Sequence, residues 1–262
     1  MSHEAGLGAD LLHGELTVLG RIMPASNTTF FCRLGPHDDV RAVYKPVSGE
    51  RPLWDFAEGT LAAREYAAWL VSEALGWNVV PPTVLRDGPA GPGMVQLWCE
   101  PDPEQSPVDL LPEGPAPAGM LHVLDAFDQA DRPVMLLHED SAPLRRMALF
   151  DIAVNNTDRK GGHVLAMHDG HRYGVDHGVC FHVDDKLRTV LWGWHGAEIE
   201  PEESAALTAL ASRLEGDLGQ ALADLLTRAE IGATRRRVVR LLAAGRFPQP
   251  GPGWPSIPWP AF

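Results

Sequence analysis

Apolar and polar positions alternate with period two on either side of a polar stretch near the amino terminus. Leu16 and Val18 precede it, Phe30, Cys32 and Leu34 follow it, and the intervening MPASNT (23–28) has turn chemistry. This predicts two strands joined by a loop. A third strand, VRAVYKP (40–46), puts Val43 on one face and stops at Pro46, which has no N–H for a ladder. The period then changes. Over 60–75, Leu61, Ala62, Tyr66, Trp69, Leu70 and Glu73 follow helical spacing, and Gly76 is placed to cap the helix. Two further strand-like runs, 79–85 and 93–100, flank the turn-rich RDGPAGP.

Proline and glycine dominate 101–119, which reads as a linker or a long surface loop. Beyond it, 119–140 and 141–154 carry apolar residues at helical spacing, and 201–214, 216–229 and 233–245 read as three helices. Between these groups, HVLAM (163–167) and RYGVD (172–176) read as short strands joined by HDGH, where Asp-Gly is a hairpin turn. The tail from 247 to 262 is too rich in proline for either regular structure. Its Trp254, Ile257, Trp259 and Phe262 favour a wrap over the surface rather than disorder. The expected fold class is α+β and bilobal: a small antiparallel β lobe with one helix (1–100), a connection (101–119), a mostly helical lobe (120–247) and a tail (248–262).

The hairpin is bracketed by two polar clusters, NNTDRKGGH (155–163) before it and DHG (176–178) after it. A hairpin brings its outer ends together, so Asp158 and His163 are expected near Asp176. Phosphoryl transfer uses such a set: one carboxylate receives the acceptor proton, and another carboxylate with a second ligand holds a divalent ion. The first lobe offers complementary groups. Lys45 ends the third strand as a point charge for phosphates, and Ser26, Asn27 and Thr28 offer amides and hydroxyls. Glu65 on the helix is a partner for Lys45, with Glu50, Asp55 and Glu58 as rivals. Gln96, Leu97, Trp98 and Cys99 are placed as a hinge whose backbone pairs with adenine, and Val43, Leu97 and Val175 as the apolar slot around it.

Composition narrows the partners. The 262 residues include 22 Lys+Arg and 35 Asp+Glu, a net charge of −13 that repels nucleic acid and anionic lipid surfaces. Cys32, Cys99 and Cys180 are widely spaced and read as reduced, buried thiols of a cytoplasmic protein. The sequence starts with no basic-then-apolar leader, and no apolar run approaches the ~20 residues of a membrane span, so no stable membrane anchoring is expected.

The stretches VYKP, REYAAWLVSEALGWNVVPPTVL, MVQLW, NNTDR and GVDHG occur in an order that resembles atypical kinases of the phosphatidylinositol 3/4-kinase group. They look most like the type II phosphatidylinositol 4-kinases and their actinobacterial relatives, which makes a bacterial source natural. The resemblance implies a bilobal kinase fold, Mg-ATP as donor, Lys45 on the phosphates, Asp158 as catalytic base and Asp176 as metal ligand. His163 stands where the family pattern has Asn, which points to Mn²⁺ as an alternative ion. The expected function is ATP-dependent phosphotransfer to a hydroxyl of a protein or small molecule; the acidic balance makes lipid the least attractive acceptor. An inactive nucleotide-binding pseudokinase and an AMP transferase are the alternatives. Other readings are open to these residues: a zinc site among His163, His168, His171, His177 and His182; Trp192 and Trp194 as an acceptor surface or as core; and Arg235, Arg236, Arg237 and Arg240 as a hold for an anionic partner or, better, a solvated helix face.

Overall fold

The structure is a computed structural model that describes residues 10–23, 25–35, 40–251, 253 and 255–262; Trp254, expected in the wrap, lies outside them. The first lobe is a five-stranded antiparallel sheet of β1 (Leu16–Arg21), β2 (Phe30–Leu34), β3 (Arg41–Pro46), β4 (Thr83–Gly88) and β5 (Gly91–Leu97), in the order β1-β2-β3-β5-β4. Strict alternation along β3 decides its two faces. Ala42 and Tyr44 enter the lobe's core with Leu16, Cys32, Leu34, Val84 and Val95, so Val43 and Lys45 project from the opposite face. The long helix of this lobe, α1 (Leu61–Leu75), ends at Gly76 with φ +67°, the left-handed cap that glycine adopts without strain. At its start, the Glu50 carboxylate accepts the N–H groups of Leu61 and Ala62 at 3.1 and 2.8 Å.

A second sheet follows: β6 (Val108–Pro112), β7 (Met120–Phe127) and β8 (Pro133–Glu139), ordered β6-β8-β7. It corrects two expectations. The stretch read as a linker contributes β6, and the stretch read as helical from 119 to 140 is a β-hairpin. The apolar run of β8, with Met135 to His138 consecutively buried, satisfies both periods, and only its pairing with β6 and β7 selects the extended one. Pro133 at the strand start and Asp131 at φ +54° supply the turn.

The expected helix over 141–154 is α2 (Ala142–Val154), capped at its start by the Ser141 hydroxyl and ended by Asn155 at φ +56°. It carries Met147, Leu149, Phe150 and Val154 into the main core. The predicted hairpin is present as β9 (Val164–Ala166) and β10 (Arg172–Gly174), with Tyr173 opposite Leu165. The helices α3 (Pro201–Glu215), α4 (Asp217–Leu222) and α5 (Arg228–Ala244) follow. The second is shorter than expected because Thr227 and Glu230 form a capping box that starts α5 instead. Ala67, Ala68, Val71 and Leu75 of α1 join the same core as α2 and α3. The helix of the small lobe is therefore fixed to the large one. Among the described residues no helix is long and apolar enough to cross a membrane.

Candidate active site

The two lobes meet at Lys45. Its Nζ lies 2.6 Å from Glu65 Oε1 on α1 and 2.8 Å from Asp176 Oδ1 after β10. Of the rivals for this role, Glu50 caps α1, Asp55 pairs with Lys186 at 2.8 Å, and Glu58 is exposed. Glu65 has a second task. Its Oε2 accepts the backbone N–H of His177 at 2.8 Å, so one buried carboxylate holds both the lysine and the DHG turn. Burial by itself would pull the Lys45 ammonium down, but Asp176 and Glu65 overcome it and hold its pKa above the ordinary value. Lys45 in turn keeps the Asp176 carboxyl well below the usual carboxylate range, against burial. Asp176 has φ +62°, a conformation non-glycine residues adopt at a cost, which aims its half-exposed carboxylate into the cleft.

The loop that presents Asp158 is built around Arg159. This side chain is fully buried and forms a fork on Asp151 of α2, Nε to Oδ2 at 2.7 Å and Nη2 to Oδ1 at 3.0 Å. Its Nη1 donates to the carbonyls of His163 and Val175, and its Nη2 donates to His177 Nε2 at 2.6 Å. One guanidinium thus ties α2, the Asp158 loop and the DHG turn together. Asn156 adds a second brace, donating to Asp151 and accepting the N–H of Asp158 at 3.0 Å. The Asp158 carboxylate is left partly exposed, 3.7 Å from Lys160 Nζ and 3.8 Å from Arg188 Nη2. Desolvation raises its pKa, while the two cations oppose the rise.

His163 faces Asp176, with Nε2 3.4 Å from Oδ2. Its other nitrogen, Nδ1, lies 3.1 Å from the Asp158 carbonyl, an acceptor, so Nδ1 carries the hydrogen. Burial pushes the imidazole down to about 4, which leaves it neutral at pH 7. A lone pair on Nε2 then points at a carboxylate oxygen. Two acceptors converging without a proton between them fit a cation, and an imidazole with a carboxylate suits a divalent ion. Among the described residues no group of three or more His, Cys, Asp and Glu could hold a metal. His168 instead pairs with Asp102, His171 bonds the Asn78 carbonyl, and His177 is buried on Arg159.

These groups line a cleft of about 860 Å³ between the lobes, with Ser26, Asn27, Val43, Lys45, Leu97, Trp98, Cys99, Asp158, His163, Val175 and Asp176 on its walls. Thr28 does not join them. Its N–H is donated to the Gly49 carbonyl at 3.0 Å, and a side chain on Gly49 would collide with it. Asn27 reaches the cleft, but its Oδ1 is already held by the Arg51 N–H at 2.8 Å. The hinge also shifts. Gln96 reaches the cleft wall, yet its side chain bonds Thr83 at 2.9 Å between strands, and the N–H groups of Leu97 and Trp98 are donated to the Pro82 and Arg41 carbonyls. Cys99, Glu100 and Pro101, past the end of β5, line the cleft beyond those ladders.

Lys160 lines the cleft beside Asp158, and Arg159 and Asn156 position that loop; the sequence reading quoted all three without giving them a part. The signal was their placement around Asp158 in NNTDRK, where a buried arginine cannot be told from an exposed one. Trp192 and Trp194 are buried, and Trp194 Nε1 donates to Asp140 at 2.8 Å, so they pack the large lobe. Arg237 corrects the reading of a solvated face: it is buried on Asp185 at 2.9 Å, with Arg240 on the same carboxylate.

Comparison with known protein-family models finds no match. A protein of Mycobacterium tuberculosis, Protein Rv2133c, is 55% identical over 265 residues, covering 97% of this chain and 95% of its own. The chain belongs to the Rv2133c family. Among solved structures, the Golgi casein kinase matches with a TM-score of 0.55 over 91% of the chain and 74% of its own, at 15% identity. A second structure of that kinase, with Mn/ADP bound, matches equally over 92% of the chain. The hydra Fam20 structure with sugar matches at 0.51 over 90% of the chain and 86% of its own, also at 15% identity. The Rv2133c-family chain therefore has a bilobal kinase-like fold, in agreement with the fold read from the sequence.

Proposed function

We propose that the chain is an atypical-kinase phosphotransferase that moves the γ-phosphate of metal-bound ATP to a hydroxyl of a protein or small molecule. The observation that carries this reading is the one cleft in which Lys45 bridges Glu65 and Asp176 while the part-exposed carboxylate of Asp158 lines the same wall. The Mn/ADP found in a protein of this fold supports the choice of donor. The finer likeness to phosphatidylinositol 3/4-kinases rests on the five quoted sequence stretches.

Lys45 contacts the donor phosphates as a point charge and is kept protonated by its two carboxylates. Glu65 fixes its reach. Asp176 and His163 would hold the divalent ion, which neutralises charge on the phosphates when bound. Imidazole in that pair favours Mn²⁺ over Mg²⁺. The acceptor hydroxyl gives its proton to Asp158 as its oxygen bonds the γ-phosphorus, and the bond to the ADP oxygen breaks. Lys160, close to Asp158, favours its ionised form and so keeps it able to take that proton.

Asp158→Asn tests the reading directly. Turnover falls roughly 100- to 10,000-fold while ATP binding persists. Retained turnover, or label transferred from α- but not γ-labelled ATP, sinks γ-phosphoryl transfer by this base.

A further inference from the structure

The residues that follow Pro255 run along the catalytic loop and enter the wall of the cleft. The Ser256 carbonyl accepts two hydrogen bonds, from the Thr189 N–H and from Trp192 Nε1, both at 2.9 Å. Residues 188–190 are themselves strapped to the catalytic loop: Arg188 N–H donates to the Asn156 carbonyl, Arg159 N–H to the Arg188 carbonyl, and Val190 N–H to the Arg159 carbonyl. Further on, the Ala261 carbonyl accepts the Gly161 N–H at 2.8 Å. The Phe262 ring lies so close over Gly161 that a side chain there would overlap it. Pro260 and Phe262 then line the cleft beside Lys160 and Gly162.

An extended peptide that reached Asp158 by strand addition along this edge would pair with its backbone donors. The Gly161 and Thr189 donors are taken by the protein's own tail. Nor is the tail a loosely held lid, because Ala261 is buried in the main core and Ile257 packs against it. Phe262 is 48% exposed, so its ring is a surface the cleft presents rather than a core filler.

We infer that residues 256–262 form a fixed acceptor-side wall, with Phe262 as its specificity-determining residue, and that the acceptor is a small non-peptidic hydroxyl compound. This rests on the phosphotransferase reading and narrows its acceptor class. The wall leaves room for a small molecule between Phe262 and Asp158, excludes an extended chain, and limits water at the γ-phosphate.

The test uses the full chain as wild type, Phe262→Ala and Phe262→Trp, with Mn-ATP. ADP release into water, γ-phosphate transfer to glycerol and to a mixed Ser/Thr peptide pool, and the thermal shift with Mn-ADP are measured together. In wild type, glycerol is phosphorylated in preference to the peptides. The alanine variant releases ADP into water several-fold faster and gains peptide phosphorylation. The tryptophan variant turns over several-fold more slowly, and the Mn-ADP shift is the same in all three. A tail with only a structural role would move both variants the same way. Turnover insensitive to residue 262, peptide preferred by wild type, or a parallel loss of Mn-ADP binding each overturns the wall while leaving the kinase reading standing. Absence of Mn-ADP binding and of turnover in wild type removes the kinase reading itself, and the wall with it.

Discussion

Two ion pairs at the meeting of the lobes behave as opposites. Arg159 and Asp151 meet with both side chains at 0% exposure, and every remaining nitrogen of the guanidinium is spent on a carbonyl or an imidazole. Lys45 and Asp176 meet with side chains 19% and 51% exposed, at the wall of a cleft large enough for a small-molecule ligand. A dry, forked pair cannot be exchanged without leaving a buried charge uncompensated, so it fixes geometry. A half-open pair with a point-charge lysine can trade one carboxylate for a phosphate and an ion. The fixed pair and the exchangeable pair are thus separated by solvent access, although the fold sets Arg159 and Asp176 at the two ends of one hairpin.

The separation can be broken at its scaffold end first. Arg159→Leu strands Asp151 and frees the carbonyls of His163 and Val175, and should cost about 3–5 kcal/mol of folding stability, read by denaturant unfolding. A change below about 1 kcal/mol would show that the hub is not what holds the loop. At the exchangeable end, Asp176→Asn should leave the fold intact and abolish the metal-dependent stabilisation by ATP. With ligand at roughly a hundred times its dissociation constant, that stabilisation in wild type is about 2.7 kcal/mol, and a thermal melt with and without Mn²⁺ detects it. An undiminished shift in the variant would remove Asp176 from the ion site.

The smallest expected effect concerns pH. His163 has its folded pKa depressed from 6.5 to about 4, so the unfolded chain binds the extra proton first. The stability it confers as a neutral group is complete above 6.5 and declines as pH falls toward 4. His177, also pushed down by burial, adds in the same direction. His163→Asn should flatten the loss of stability between pH 6.5 and 4.5 relative to wild type, measured by urea unfolding at each pH. A parallel decline in both proteins would mean that other groups govern acid sensitivity.

The half-buried β lobe was legible because β3 alternates cleanly and α1 carries its own glycine cap. The large lobe's sheet was not, because β8 is buried as one apolar run in which helical and extended periods coincide. At the site, the hairpin logic brought Asp158, His163 and Asp176 to one rim, since a two-stranded ladder joins whatever lies at its ends. It could not say which donors were already spent, and so Thr28, Leu97 and Trp98 were credited with hydrogen bonds that neighbouring strands and loops had taken.

The sequence by itself determined the local chemistry: the strand face of Lys45, the turn that pairs the two polar clusters, and the glycine that ends α1. These depend on side-chain period and on residues a few positions apart. Only the tertiary structure decided that Arg159 is dry, that Glu65 rather than Glu50, Asp55 or Glu58 holds Lys45, and that the tail returns to line the cleft at Phe262. Burial and partner choice are set by chain segments roughly a hundred residues apart in the case of Gly161 and Ala261, and no local pattern encodes which of several chemically equal partners arrives first.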